Sequence, residues 1–582
     1  MSTATASARD ARDDLLVRVL GALLREDVLG LRTRGERVRR ADGPWQRLEL
    51  AGRVLLLPLA PDGFQCEDTA RLPLLEVDGT PLTDPDEIIG ALRELAAPED
   101  RGGYDAFAEE CRQTLATVRL QNGARDGTRR GLAERYGADP AHWSGLRASL
   151  AQDTLAAFLD HPVYPTARGR SGLDEEQLRD HAPEFHPSFL LRWVVLPARA
   201  MPWHGDAPLA AWWPDPERLG LPETPERRVA VPVHPLTVGR PLTEALRAAG
   251  LADTAALAPR PYLEVVPTLS MRTVAVTRDP ACHLKLPLAT ATLGLRNRRT
   301  IKPGVLPDGA AGQRLLELVL AREPQLAAGV LLADEQCYAE SGHELLAVLL
   351  RRYPAGLDGA VALPLAALLA TAPTGRLVID HLAERFYDGE VLALYDALLT
   401  LLLDWQTTLF GYGIALESHQ QNTSLVLDRP GGRTRLRLLQ KDNDGPRVNH
   451  ARLRARLGGL APERTEFDDQ RVFAGDAELA DLFTTITGHL CTASLAFGLA
   501  AAGRAPLDTS LGLLRRRLTE AVDRLGPEGA ALRATLLDAD RLPVKAMVTA
   551  GTLLSKERSG AADINKHYTS GPNYLRPTGA GR

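Results

Sequence analysis

Apolar residues at Leu15, Leu16, Val19, Leu20, Leu23 and Leu24 recur at helical spacing behind an acidic first turn, so the chain begins with an amphipathic helix. Residues 54–57 read as a short strand stopped by Pro58, and residues 74–77 as another closed by the Asp78-Gly79 turn signal. Thr83-Asp84-Pro85-Asp86 starts a helix whose buried side carries Ile88, Ile89 and Leu92. Residues 105–159 are largely helical in pattern. A proline-rich middle from about 161 to 373 mixes strands and helices. The last third opens with a strongly apolar helix over 391–405 and continues with a strand after Gly411 and Gly413. A polar loop over 417–422, a strand pair over 423–427 and 433–439, and further helices complete it. The fold class is α+β, with divisions near 160 and 380 and no internal repeat.

One hairpin concentrates positive charge. Residues 263–266 lead into it, 272–276 form its first strand, Arg278-Asp279-Pro280 its turn, and 283–288 the return. On the return strand Leu284, Leu286 and Leu288 share one face, which puts Lys285 on the other. Thr268, Ser270, Arg272 and Thr273 line one arm, and Thr292 and Arg296 lie just beyond the second. Such cations and hydroxyls suit a polyphosphate or a carboxylate, which guanidinium groups grip with two parallel bonds. A solvated strand edge is the plain alternative.

The loop Glu417-Ser418-His419-Gln420-Gln421-Asn422 sets six polar side chains between apolar strands, which is costly unless they are satisfied or serve a ligand. The next strand ends in Gln440-Lys441-Asp442-Asn443-Asp444-Gly445. Glu417 and Asp442 together could hold Mg²⁺, an ion that takes oxygen ligands and keeps waters and phosphate oxygens. The same order of His, Asn and Asp occurs in kinase-like folds. A compact basic turn runs from His161-Pro162 to Arg168 and Arg170, and His234-Pro235 follows another apolar strand. No GxxxxGK[ST] loop, no GxGxxG opening a helix after a strand, no GxSxG and no HExxH is present, so any ATP site here lacks the common glycine-rich cradle.

Composition narrows the setting. With 45% hydrophobic and 25% charged residues the 582-residue chain can build several cores, and a net charge of −5 offers no general attraction to nucleic acid or anionic membrane. The five cysteines are scattered without a CxxC, which gives neither a disulfide framework nor a zinc site. A polar start (residues 1–14) excludes a secretory leader. The longest apolar runs are broken by Pro364, Asp396 and Asp404 before reaching the ~20 residues of a membrane span, so a cytoplasmic protein is expected.

Taken in order, these segments resemble the IucA/IucC family, the NRPS-independent siderophore synthetases. The family's GHPxHPxxKxRxG segment corresponds to Asp160-His161-Pro162-Val163-Tyr164-Pro165 with Arg168, Arg170 and Gly172, and its APEF to Ala182-Pro183-Glu184-Phe185. HPWQ corresponds to His234-Pro235-Leu236-Thr237, and PTxSxRT to residues 267–273. Lys285, Thr292 and Arg296 match the family's next run, and His419, Gln421 and Asn422 its HxQN loop, with Lys441-Asp442 in the place of RD. Leu542-Pro543-Val544-Lys545 and Asn573-Tyr574-Leu575 resemble the C-terminal LxxK and NPL.

The resemblance implies a cupped hand. Residues 1–160 would be a thumb, 161–380 fingers bearing an ATP-binding hairpin, and 381–582 a distantly kinase-like palm with a helical substrate-binding part, often as a homodimer. It implies Mg²⁺- and ATP-dependent adenylation of a carboxylic acid, citrate or a derivative foremost, followed by capture with an amine or alcohol. Thr268, Ser270, Arg272, Thr273, Lys285, Thr292, Arg296, Gln421 and Asn422 would bind ATP, with Arg272, Lys285, Arg296 and His419 acting in the reaction. His161, Arg168, Arg296, His419 and Lys545 would hold substrate, and Glu417 and Asp442 the metal. Tyr164 in place of the second His and Arg168 in place of Lys put the usual acid or acceptor in question. A small-molecule kinase and a non-catalytic binding protein are the competing readings.

Overall fold

The computed structural model describes residues 10–205, 210–443, 445–560 and 567–576; the first nine residues of the polar start and Asp444 of the acidic loop lie outside them. The first helix, Ala11–Arg25, buries Leu15, Leu16, Val19, Leu20, Leu23 and Leu24, as their spacing requires. The second, Pro85–Leu95, starts where Asp84 accepts the backbone N–H of Asp86 at 2.9 Å and Pro85 fills the first turn. Pro58 does not stop its strand, which runs Arg53–Pro61. On one side that strand pairs with Leu75–Val77 at Leu55 and Leu56, then with Asp68–Ala70 from Leu59 onward. Pro58 falls between the two ladders, where a missing N–H costs nothing.

A 36-residue helix, Arg101–Tyr136, and a shorter one, Leu146–Ala157, carry the chain to the basic turn. Beyond it lies a nine-stranded, wholly antiparallel sheet. In it Tyr262–Pro267, Thr273–Val276, Asp279–Lys285, Ala347–Arg352 and Asp334–Glu340 are successive neighbours. Val276 pairs with Asp279, so the hairpin turn is tighter than the sequence suggests, and Asp279 and Pro280 already belong to the return strand. One face packs Val265, Val274, Leu284, Leu286, Val348 and Leu350 into a core of its own. The other carries Lys285 opposite Leu349 and His283 opposite Arg351, toward the C-terminal third.

There Arg435–Gln440 and Thr423–Asp428 form a four-stranded sheet with Val330–Leu332 and Val361–Pro364 of the preceding segment, in the order Val330–Leu332, Arg435–Gln440, Thr423–Asp428, Val361–Pro364, backed by the helix Val391–Gly411. The helical run Asp476–Ala501 corrects the expectation that no apolar segment reaches membrane length. It is long and apolar enough by composition, but 89% of its most apolar 18-residue window is buried inside the protein, as in a core helix. Its middle, Thr484–Ala493, is π-helical, as is Thr549–Leu553, where Leu554 N–H returns to Thr549 O at 2.9 Å. Buried residues of the N-terminal part (Leu15 to Tyr164) and of the C-terminal part (Val361 to Leu575) form one contiguous core.

Replacing Asp84 by Ala removes the N-cap of Pro85–Leu95 and should lower stability by about 1 kcal/mol in urea unfolding. An unchanged midpoint would show the cap to be irrelevant.

Candidate active site

The arm 268–273 is a closed turn built from its own hydroxyls. Thr268 Oγ1 donates to Thr273 O at 2.8 Å, Ser270 Oγ lies 3.2 Å from Thr273 Oγ1, and Met271 takes a φ of 63°. Arg272 points out of this turn and donates from Nη1 to Thr300 O at 2.8 Å, fastening the hairpin to the loop 288–302. Within the loop Thr292 N–H meets Asn297 O at 3.3 Å, and Arg296 is exposed. The loop rests on the π-helical turn: a Cβ on Gly294 would come within 2.8 Å of Gly551 O, and Arg296 N–H reaches the same oxygen at 3.4 Å.

Lys285 reaches from the hairpin to the strand end at Asp442. Its Nζ donates to Asp442 Oδ1 at 2.8 Å, and Arg351 Nη2 donates to the same oxygen at 2.6 Å. Glu335 completes the node, taking Arg351 Nε at 2.5 Å and the backbone N–H groups of Asp442 and Asn443 at 2.8 and 2.9 Å. Those two amide bonds fix Asp442 at a φ of 59°, in the left-handed region that Asp adopts more readily than most side-chain-bearing residues. Burial opposes ionisation of Asp442, but Arg351 and Lys285 overcome it and keep the carboxyl well below its ordinary range. Lys441 beside it is also buried; burial works against its charge, yet Tyr353 and Asp153 hold it above the usual lysine value.

The polar loop folds on itself. Asn422 Nδ2 donates to Glu417 O at 3.0 Å, and Asn422 O receives Lys441 N–H at 3.1 Å, joining the loop to the Asp442 strand end. The Glu417 carboxyl group lies against Gly445, whose Cβ would stand 3.5 Å from it. Gln421 N–H donates to His419 Nδ1 at 3.3 Å, and Val163 and Tyr164 N–H to His161 Nδ1 at 3.2 and 3.0 Å. In both rings this pattern assigns the proton to Nε2. Burial chiefly depresses the two imidazoles, His161 to about 3 with His419 and Arg25 adding to it. His419 falls to about 4, with Lys545, Arg299 and Lys441 adding to burial and Asp442 opposing. Neutral His161 and His419 thus lie within electrostatic reach of cations, Arg25 for the first and Lys545, Arg299 and Lys441 for the second. Lys545 ends the strand Arg541–Lys545, buried and opposite Tyr568.

Other expected residues go elsewhere. Arg168 is buried and donates from Nε to Gln121 Oε1 at 2.7 Å, with Asp160 at 3.6 Å, so it ties the basic turn to the long helix. Tyr164 is wholly buried and its hydroxyl donates to Glu110 at 3.0 Å. The two departures from the family pattern are thus both bonded to the long helix Arg101–Tyr136. His234 packs at a tilt against His181 and edge-to-face against Phe189, with centroids 5.3 and 5.1 Å away, and caps Leu236 N–H at 3.2 Å, a structural role. Sequence reading missed Glu335 and Arg351, whose only trace is a charged pair closing the apolar run 347–350. It also missed Arg25, hidden in an amphipathic helix, and His489, buried between Tyr574 Oη at 2.8 Å and Pro543 O at 2.9 Å. Among the described residues no group of three or more His, Cys, Asp or Glu side chains could hold a metal. Glu417 lies against Gly445, three residues beyond Asp442, whose Oδ1 is already bonded to Lys285 and Arg351.

Asp442→Ala removes the carboxylate that both buried cations share and should destabilise the protein by about 3–5 kcal/mol. Lys285→Met, which leaves Asp442 with Arg351, should cost clearly less; equal losses in denaturant unfolding would refute this division. Because His161 and His419 lie at about 3 and about 4, both rings stay neutral from pH 8 down to 5 in the folded chain. The unfolded chain takes up those protons near its ordinary pKa of about 6.5, so both groups lower stability as pH falls through that window toward 4. NMR titration of imidazole-labelled protein, assigned with His161→Gln and His419→Gln, should show two rings that do not titrate above pH 5. A midpoint near 6.5 for either would contradict the burial argument.

Residues 151–370 match the IucA / IucC family, and residues 393–559 match the family described as ferric iron reductase FhuF-like transporter. Staphyloferrin B synthase of Staphylococcus aureus (strain NCTC 8325 / PS 47) is 23% identical over 326 residues, 51% of this chain and 54% of that protein. The chain spans about half the length of the curated relatives it matches. The petrobactin biosynthesis protein AsbB of Bacillus anthracis str. Sterne superposes with a TM-score of 0.73 at 16% identity, over 97% of this chain and 95% of that one. The ATP-bound aerobactin synthetase IucA of a hypervirulent Klebsiella pneumoniae pathotype gives 0.70 at 17% identity, over 97% and 99% of the two chains. At these identities the superpositions establish a common fold of mixed helices and antiparallel sheets. The sequence match to the IucA/IucC family thus covers residues 151–370, and the fold shared with these solved structures runs along nearly the whole chain.

Proposed function

We propose that the protein is an ATP-dependent synthetase of the siderophore type. In this reading it adenylates a carboxylic acid, citrate or a citrate derivative, and condenses it with an amine or alcohol to give an amide or ester. The observation that carries the proposal is the node in which Lys285 and Arg351 meet Asp442 beside the Glu417 loop, at the mouth of the Arg272 hairpin. The names of its relatives, an ATP-bound aerobactin synthetase and a staphyloferrin B synthase among them, support it.

The chemistry asks for what this neighbourhood holds. A carboxylate oxygen attacks the α-phosphorus of ATP, the bond to the β-phosphate oxygen breaks, and pyrophosphate leaves. The acceptor nitrogen or oxygen then attacks the acyl carbon, AMP departs, and the acceptor loses one proton. Both anions must be neutralised and aligned before the first step. Arg272, Lys285 and Arg296 supply charge on the nucleotide side; His161, His419 and Lys545 supply donors and charge for the acid. Neutral His419, with its proton on Nε2, donates to an anionic oxygen without adding a full charge. Glu417 and Asp442 would hold Mg²⁺, which screens the phosphates when bound. No side chain is needed as a nucleophile.

The test is incubation with Mg²⁺-ATP, hydroxylamine and single acids (citrate, succinate, α-ketoglutarate), recording AMP, ADP, pyrophosphate and hydroxamate mass. Acid-dependent AMP and pyrophosphate with a hydroxamate are expected, and Lys285→Met should abolish them. ADP with a phosphorylated acid would replace the proposal with a kinase.

A further inference from the structure

A buried carboxylate outside the expected site joins its two halves. Glu110, on the helix Arg101–Tyr136, is only 6% exposed. It accepts Tyr164 Oη at 3.0 Å, Thr552 Oγ1 at 2.9 Å and Thr166 Oγ1, and it lines one small cavity with Gly294. These groups come from segments far apart in sequence, and each segment bears candidate site residues. Tyr164 and Thr166 follow His161. Gly294 lies between Thr292 and Arg296. Thr552 lies on the π-helical turn that follows Lys545.

No cation bonds to this carboxyl group among those contacts; burial raises its pKa, and the hydroxyls of Thr166, Thr552 and Tyr164 work against that rise. A junction that served stability alone would do as well or better with apolar groups, because desolvating a carboxylate is expensive. What directional bonds add is fixed geometry between the segments they join. A second carboxylate acts on the same turn: Glu26 accepts the N–H groups of Val548 at 3.0 Å and Thr549 at 2.8 Å, and Thr549 Oγ1 at 2.9 Å.

We infer that Glu110 is a positioning residue: from one point it sets the spacing between the loop bearing Thr292 and Arg296 and the segment bearing Lys545. The nucleotide side and the acid side of the site are thereby held in register. The kinetic consequence rests on the synthetase reading; the geometric one does not.

Two variants test it, Glu110→Gln and Thr552→Val, the latter close to isosteric and lacking only the donor. Hydrogen exchange should rise at least about tenfold both at Gly294 and across 546–553, and KM for ATP and for the acid should each rise at least about fivefold with kcat little changed. A merely structural role would lower the melting temperature and the active fraction, leaving both KM values and Gly294 exchange as in the parent, and that result overturns the inference. Faster exchange confined to 546–553 in Thr552→Val overturns it as well, since the coupling to Gly294 is then absent. Should Glu110→Gln fail to fold, Thr552→Val decides alone. If the parent protein forms no AMP with any acid, the synthetase reading falls, while the exchange at Gly294 still decides whether Glu110 couples the two segments.

Discussion

The carboxylate of Asp442 is the point on which the site hangs. Lys285 arrives from the hairpin, Arg351 from the neighbouring strand, and both donate to the same oxygen. Neither cation would be tolerated at this depth without an acceptor, and Asp442 would not stay ionised without them. Glu335 then fixes the backbone that presents Asp442. Net stability from such a cluster is small once desolvation is counted, so its value is geometric. It docks the hairpin on the strand end at Asp442 in one arrangement, with the Glu417 loop alongside.

Much of this was legible in the sequence, for reasons that differ by element. Strand alternation placed Lys285 opposite Leu284 and Leu286, because the period of two admits no other outcome. Asp84-Pro85 announced a helix start through capping chemistry that is wholly local. Glu335, Arg351 and Glu110 were not legible, since nothing near them in sequence signals a partner: Glu110 meets groups 54, 56 and 442 residues away. Pro58 and the run Asp476–Ala501 misled for a related reason. Whether a proline ends a strand, or an apolar helix faces lipid, is decided by neighbours that only the fold supplies.

The departures at Tyr164 and Arg168 take on a different meaning in three dimensions. Both look from sequence like changes in what the site can bind, yet both side chains are buried and bonded to the long helix Arg101–Tyr136. A phenol that donates to Glu110, and a guanidinium that donates to Gln121 where a lysine would offer a single ammonium, alter how that helix is braced. Divergence at a motif therefore need not be divergence in substrate.

The single core shared by the N-terminal and C-terminal parts of the chain means that neither end is an independent unit. The strands around the Lys285 hairpin pack into a core of their own. The first helix has no such independence: its leucines fill the same interior as those of the last third, and Glu26 and Glu110 reach into the turn behind Lys545. A change of side-chain volume near the start of the chain is therefore felt near its end, in the walls of one interior.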